Sequence, residues 1–152
     1  IIVLLQLLIF DRCHIRAGAY PMGYVLWLLI LPTQLPRWVE MLIGMIVGLI
    51  MDVCNNSLGV HMAACVAISF WRPILLKKSS QDIERIKGEI SSLNIGMIEY
   101  MKCALILVMT HHFMVFMLEA WSLHNWWMII LQTLLSSILT LLAIFGYEII
   151  RR

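Results

Sequence analysis

The apolar positions of this chain fall into six runs, and none of them alternates with the two-residue period of a strand. The first ends near Phe10. The second covers about Tyr20–Leu35, with Pro21, Pro32 and Pro36 near its ends. The third covers Trp38–Val53, the fourth Leu58–Leu76, the fifth Tyr100–Trp121 and the sixth Trp126–Tyr147. An α-helix rises about 1.5 Å per residue and a bilayer core is about 30 Å thick, so about 20 apolar residues cross it. The last four runs meet that length. The pattern therefore predicts an all-α integral membrane protein with six transmembrane helices forming a single domain over residues 1–152. Ile1–Phe10 has no basic flank or cleavage site and reads as the end of a first helix that begins before Ile1, not as a signal peptide. The long polar stretch, Lys77–Glu99, is a loop. Ile83, Ile86 and Ile90 recur in it at helical spacing opposite Asp82, Glu84, Arg85, Lys87 and Glu89, which suits an amphipathic helix at the interface.

Composition narrows this reading. The chain has 152 residues, 62% hydrophobic and 13% charged. Soluble domains are about 45–50% apolar and about 25% charged, so polar groups are too few here to coat a water-soluble globule. A soluble enzyme, a secreted disulfide scaffold and a nucleic-acid binder are excluded on the same ground. Cys13, Cys54, Cys65 and Cys103 form no CxxC pair, which leaves metal and redox motifs unsupported.

Charge placement gives an orientation. If the chain crosses at each run, Arg37, Arg72, Lys77, Lys78, Arg85, Lys87, Lys102, Arg151 and Arg152 share one side, and Arg12 and Arg16 the other. Cytoplasmic loops carry the excess of basic residues, so both termini and the Lys77–Glu99 loop are expected to be cytoplasmic. Trp121, Trp126 and Trp127 would mark the outer edge and Trp38 and Trp71 the inner one.

A few polar groups stand inside apolar runs. Gly44, Gly48 and Asp52 are four apart and form one helical stripe; Gly59, Ala63 and Ala67 repeat that spacing. Small residues at this interval let a second backbone approach, either the neighbouring helix or a partner's. Asp52 ends its stripe beside the Asn55-Asn56-Ser57 turn, and His61 follows. Asp52 either caps the next helix and the turn amides or serves a functional site at membrane depth. No nucleophile or metal set accompanies the pair. In the fifth run His111 and His112 lie about 14 Å beyond Lys102, and His112 shares a face with Glu119. They suit a buried polar network that fixes packing, a proton or ion path, or contact with a partner's polar group. The sixth run carries Gln132, Ser136 and Thr140 on one stripe with Thr133 and Ser137 beside it, a seam for interhelical hydrogen bonds. Gln6 is a further buried hydrogen-bonding candidate, and Glu148 is placed to pair locally with Arg151 and Arg152.

The segment from Gly48 to Leu76, GLIMDVCNNSLGVHMAACVAISFWRPILL, closely resembles the signature of the bacterial rod shape-determining MreD family. There a Gly-Leu-x-x-Asp helix end leads through a short turn to a Gly-x-His helix start, here Gly48, Leu49, Asp52, Gly59 and His61. Arg72-Pro73, the stretch from Tyr100 to Glu119 with His111 and His112, and the polar last helix are similar too. The resemblance extends from about Gln6 to Glu148. It implies a non-enzymatic scaffold of the cell-wall elongation machinery in the bacterial inner membrane, with no cofactor. It implies a bitopic MreC-like partner, and MreB, RodA and a penicillin-binding synthase in a larger complex. It also implies a helical bundle similar to transporter substrate-binding subunits, a likeness of fold that does not name a ligand.

Two other functions are compatible with the residues. A small-molecule binding or transport subunit would need a polar cavity lined by groups such as Asp52, His61, His112 and Glu119. An intramembrane enzyme would need a nucleophile and a base at depth, with Ser136 or Ser137 near His112 as the conceivable pair; their spacing does not bring them together.

Overall fold

The structure, a computed structural model, describes residues 20–79, 88–120 and 126–151. It is helical: α1 (Val25–Leu29), α2 (Arg37–Asn55), α3 (Val60–Ser79), α4 (Ser92–Ile95), α5 (Met97–Ala120) and α6 (Trp126–Arg151). Helices α2, α3, α5 and α6 are long and apolar enough to cross a membrane. They match the third to sixth apolar runs, with ends shifted by a few residues. The first run, with Gln6, and the Arg12, Cys13 and Arg16 that follow it lie outside the described residues. So do Trp121, Arg152 and most of the proposed loop helix.

The second run is a correction. Its residues form no spanning helix; they contain only α1, five residues long, and turns. Pro21 and Pro32 lack the N–H a helix needs, and Pro36 is the N-cap of α2, so the helical portion is confined to the interval between them. Tyr24, Val25, Leu26, Leu28 and Leu29 are nonetheless buried. The segment starts beside Phe116 of α5 and Ser136 of α6, and reaches Glu89 through a Pro32–Glu89 bridge. It threads the bundle along its length with little helix. Ile83 and Ile86 of the loop lie outside the described residues; beyond them Gly88 has φ 113° and Ile90 is fully buried.

Helix α2 packs along α3, α3 on α5, and α5 on α6, while α1 touches α2, α3 and α5. The α2–α3 turn is tight because Asn56 at the C-cap takes a left-handed φ of 53° and Gly59 a φ of 82°. Asparagine and glycine are the residues that reach this region at low cost. The glycine stripe of α2 faces α3. A Cβ on Gly48 would strike the Met62 backbone and lie 2.7 Å from the His61 carbonyl oxygen; one on Gly44 would meet Ser69 Oγ and lie 2.9 Å from the Cys65 carbonyl oxygen. Of the two partners open in the sequence, the neighbouring helix is the one these glycines meet. Ala63 is exposed and Ala67 half-buried, so the second small-residue stripe turns away from this contact. The outer faces carry exposed apolar side chains, among them Leu42, Ile46 and Leu49 of α2 and Leu134, Ile138 and Leu142 of α6.

Candidate functional site

An interrupted segment inside a bundle of apolar helices raises an accounting question, because each buried backbone N–H and C=O needs a partner where water is scarce. Polar side chains of the surrounding helices answer it. At its start, the Tyr20 N–H donates to Ser136 Oγ at 3.1 Å and the Met22 N–H to Thr140 Oγ1 at 3.0 Å. At the end of α1, Arg72 Nε donates to the Leu29 carbonyl at 3.2 Å, and Arg72 Nη2 donates to the Leu31 carbonyl. The Thr33 N–H then reaches the Gly88 carbonyl at 3.2 Å. The polar stripe of α6 and the arginine of α3 thus hold one segment from its two ends.

Arg72 is itself braced. Its Nη1 lies 2.9 Å from Glu40 Oε2 of α2, and both side chains are 2% exposed. Glu40 was not singled out in the sequence, although an acid inside an apolar run is the available signal. Tyr24 was also missed, since a lone tyrosine in an apolar run carries no chemical signature.

A second layer surrounds Tyr24. Its hydroxyl lies 3.1 Å from His111 Nε2, and the rings meet edge to face at 5.3 Å. Cys65 Sγ lies 3.7 Å from the same nitrogen. His112 Nδ1 lies 2.9 Å from the Val108 carbonyl, which only accepts, so this nitrogen carries the proton. Its Nε2 lies 3.2 Å from Thr140 Oγ1, whose hydroxyl donates to the Ser136 carbonyl at 2.9 Å. Thr140 Oγ1 thus gathers the Met22 N–H, the Ser136 carbonyl and His112 at one point. His111, His112, Ser136 and Thr140 share this network. Glu119 does not; it is exposed and accepts from the Tyr20 hydroxyl at 3.1 Å. Gln132 is half-buried four residues before Ser136 on α6.

The Asp52–His61 pair sits in the α2–α3 turn. Asp52 Oδ1 accepts from Ser57 Oγ at 2.5 Å, from the His61 N–H at 2.9 Å and from His61 Nδ1 at 3.1 Å, while Oδ2 accepts from the Met62 N–H at 2.9 Å. The carboxylate thus caps the first turn of α3, whose N–H groups have no partner within their own helix. Ser, His and Asp meet here, but not as a nucleophile relay. In such a relay the carboxylate and the hydroxyl occupy opposite imidazole nitrogens. Here both approach Nδ1, with Ser57 Oγ at 3.1 Å, and Nε2 is buried without a hydrogen bond. Ser136 Oγ is engaged by the Tyr20 amide, and Thr140, not a serine, is the hydroxyl at His112.

At the other end, Glu148 is a correction. It is buried and accepts from the Ser92 N–H at 2.6 Å, so it anchors α4; Arg151 turns instead to Glu89 at 2.5 Å. No group of three or more His, Cys, Asp or Glu side chains able to hold a metal occurs among the described residues.

Comparison of the chain with protein-family models, with curated proteins and with solved structures returned no match. Asp52, His61, His112 and Glu119 do not line one cavity: Asp52 and His61 close the turn, His112 joins Thr140, and Glu119 sits at the exposed end of α5.

Proposed function

We propose that this chain is a non-enzymatic scaffold of the MreD type in the bacterial inner membrane, binding an MreC-like bitopic protein in the cell-wall elongation machinery. MreB, RodA and a penicillin-binding synthase complete the larger assembly in this reading. The observation that supports it most is the α2–α3 corner. Gly48, Asp52, Gly59 and His61, the residues that carry the resemblance, converge on one turn, where Gly48 admits the His61–Met62 backbone and Asp52 ties down Ser57, His61 and Met62. A motif spent on shaping a corner suits a protein that presents surfaces. Arg72, Ser136 and Thr140 engage the backbone of the Tyr20–Leu35 segment, and His111 meets its Tyr24 hydroxyl.

Co-expression with the cognate MreC-like protein and purification in mild detergent tests this reading. A stoichiometric complex is expected. A chain that purifies alone at every ratio of the two overturns it.

One observation favours a second reading, a small-molecule binding or transport subunit. Interrupted, protein-buried segments at membrane depth recur where transporters hold their substrates. A saturable thermal shift with a defined small molecule would support that alternative.

A further inference from the structure

At the basic end of the bundle a cleft of about 270 Å³ opens between α2, α3 and the chain leading into α2, lined among others by Thr33, Gln34, Glu40, Arg72, Leu76 and Lys77. We propose that this cleft binds the phosphate group of an anionic membrane lipid. It rests on the membrane reading of the four long helices and not on the scaffold reading above.

Three observations point to this ligand. The first is charge: Arg72 and Lys77 outnumber Glu40 in the lining, and Arg37 stands three residues before Glu40 on the same helix. The second is donor capacity. A guanidinium has five N–H groups. In Arg72 the Leu29 carbonyl, the Leu31 carbonyl and Glu40 engage three, so two N–H donors remain on a side chain 1% exposed that lines the cleft. Arginine donors in a fixed fork suit phosphate oxygens, and the backbone carbonyls already hold this fork in place. Thr33 and Gln34 add neutral polar groups. The third is position. Trp38, 68% exposed, and Trp71, 51% exposed, stand on the two helices that form the cleft. Exposed tryptophans mark the headgroup level of a bilayer, and basic pockets between helices at that level take lipid headgroups. Leu76 offers the apolar wall that the glycerol end of a lipid needs. The volume lies just below the range of about 300–1,000 Å³ typical of drug-sized ligands, which suits a headgroup.

The test uses the protein purified in detergent, with phosphatidylglycerol, phosphatidylcholine and inorganic phosphate as probes. Thermal unfolding and lipid-adduct mass spectrometry are the readouts. Phosphatidylglycerol is expected to stabilise the protein saturably and phosphatidylcholine is not. Lys77→Gln is expected to weaken phosphatidylglycerol binding about fivefold, the loss of one basic contact near a membrane surface. Lys102→Gln, at the exposed Lys102–Glu99 pair on α5, is expected to leave it unchanged. Thr33→Val serves as a second cleft variant if Lys77→Gln lowers the yield of folded protein. Equal response to the two lipids, or equal loss in Lys77→Gln and Lys102→Gln, overturns the proposal. Full stabilisation by inorganic phosphate, without added benefit from the lipid, overturns the lipid source.

Discussion

At the scale of single residues, Asp52 and Arg72 do the most to hold the backbone together. Asp52 takes four hydrogen bonds on two oxygens, two of them from the first turn of α3. Asp52→Ala leaves those N–H groups without a carboxylate, at a cost of about 1–3 kcal/mol for each one left buried and unpaired. A fall of several degrees in the unfolding midpoint in detergent is expected, and a smaller one for Asp52→Asn, which keeps one acceptor oxygen. An unchanged midpoint in Asp52→Ala would remove the capping role. Arg72 binds two carbonyls and one carboxylate at once. Arg72→Met strands all three and should cost about 3–5 kcal/mol, as breaking a buried ion pair does. Arg72→Met combined with Glu40→Met should cost less than the sum of the single changes, since the stranded acid is gone as well. Strict additivity in a double-mutant cycle by denaturant unfolding would show that the two groups do not act as a pair.

At the scale of elements, the α2–α3 contact and the Tyr20–Leu35 segment respond to different substitutions. Gly48→Ala sets a Cβ against the backbone of α3, and overpacking of this kind costs about 1–3 kcal/mol. Gly146 is the control, because a Cβ there meets nothing within 4 Å. Gly146→Ala should be neutral or stabilise by up to about 1 kcal/mol through helix propensity. Equal effects at the two glycines in thermal unfolding would contradict the close approach. In the Tyr20–Leu35 segment, Thr140→Val removes the acceptor of the Met22 N–H and the hydroxyl beside His112 Nε2 together. Faster hydrogen exchange at the Met22 amide is expected, with little change in α2. Unaltered exchange there would show that the segment is held elsewhere.

At the scale of the whole molecule, the exposed apolar faces of four long helices and the basic residues at one end suit a multi-pass membrane protein with the α2–α3 turn on the outer side. Cys54, exposed beside that turn, provides the test. In a Cys13→Ser background a membrane-impermeant thiol reagent added to intact cells should label Cys54. Buried Cys65 and Cys103 should react only after denaturation. Labelling of Cys54 solely from the cytoplasmic side would reverse the orientation.

The sequence by itself determined the class of the molecule and the place of its long helices. Runs such as Trp126–Tyr147 are apolar over a length that admits one solution, a helix with its backbone bonds satisfied internally. Asp52 and His61 were legible as a pair because a charged residue, a polar turn and a histidine follow one another within a short stretch of chain. Tertiary structure decided the rest. The Tyr20–Leu35 run has the composition of a spanning helix, but its form depends on Ser136, Thr140 and Arg72, which lie far along the chain and replace the helical partners that its prolines remove. Glu148 looked like a local partner of Arg151 because neighbours in sequence are the nearest charges in view; only the fold brings the Ser92 amide to it. Long-range hydrogen bonds of this kind leave no periodic trace, since each depends on two positions whose separation is set by the path of the chain between them.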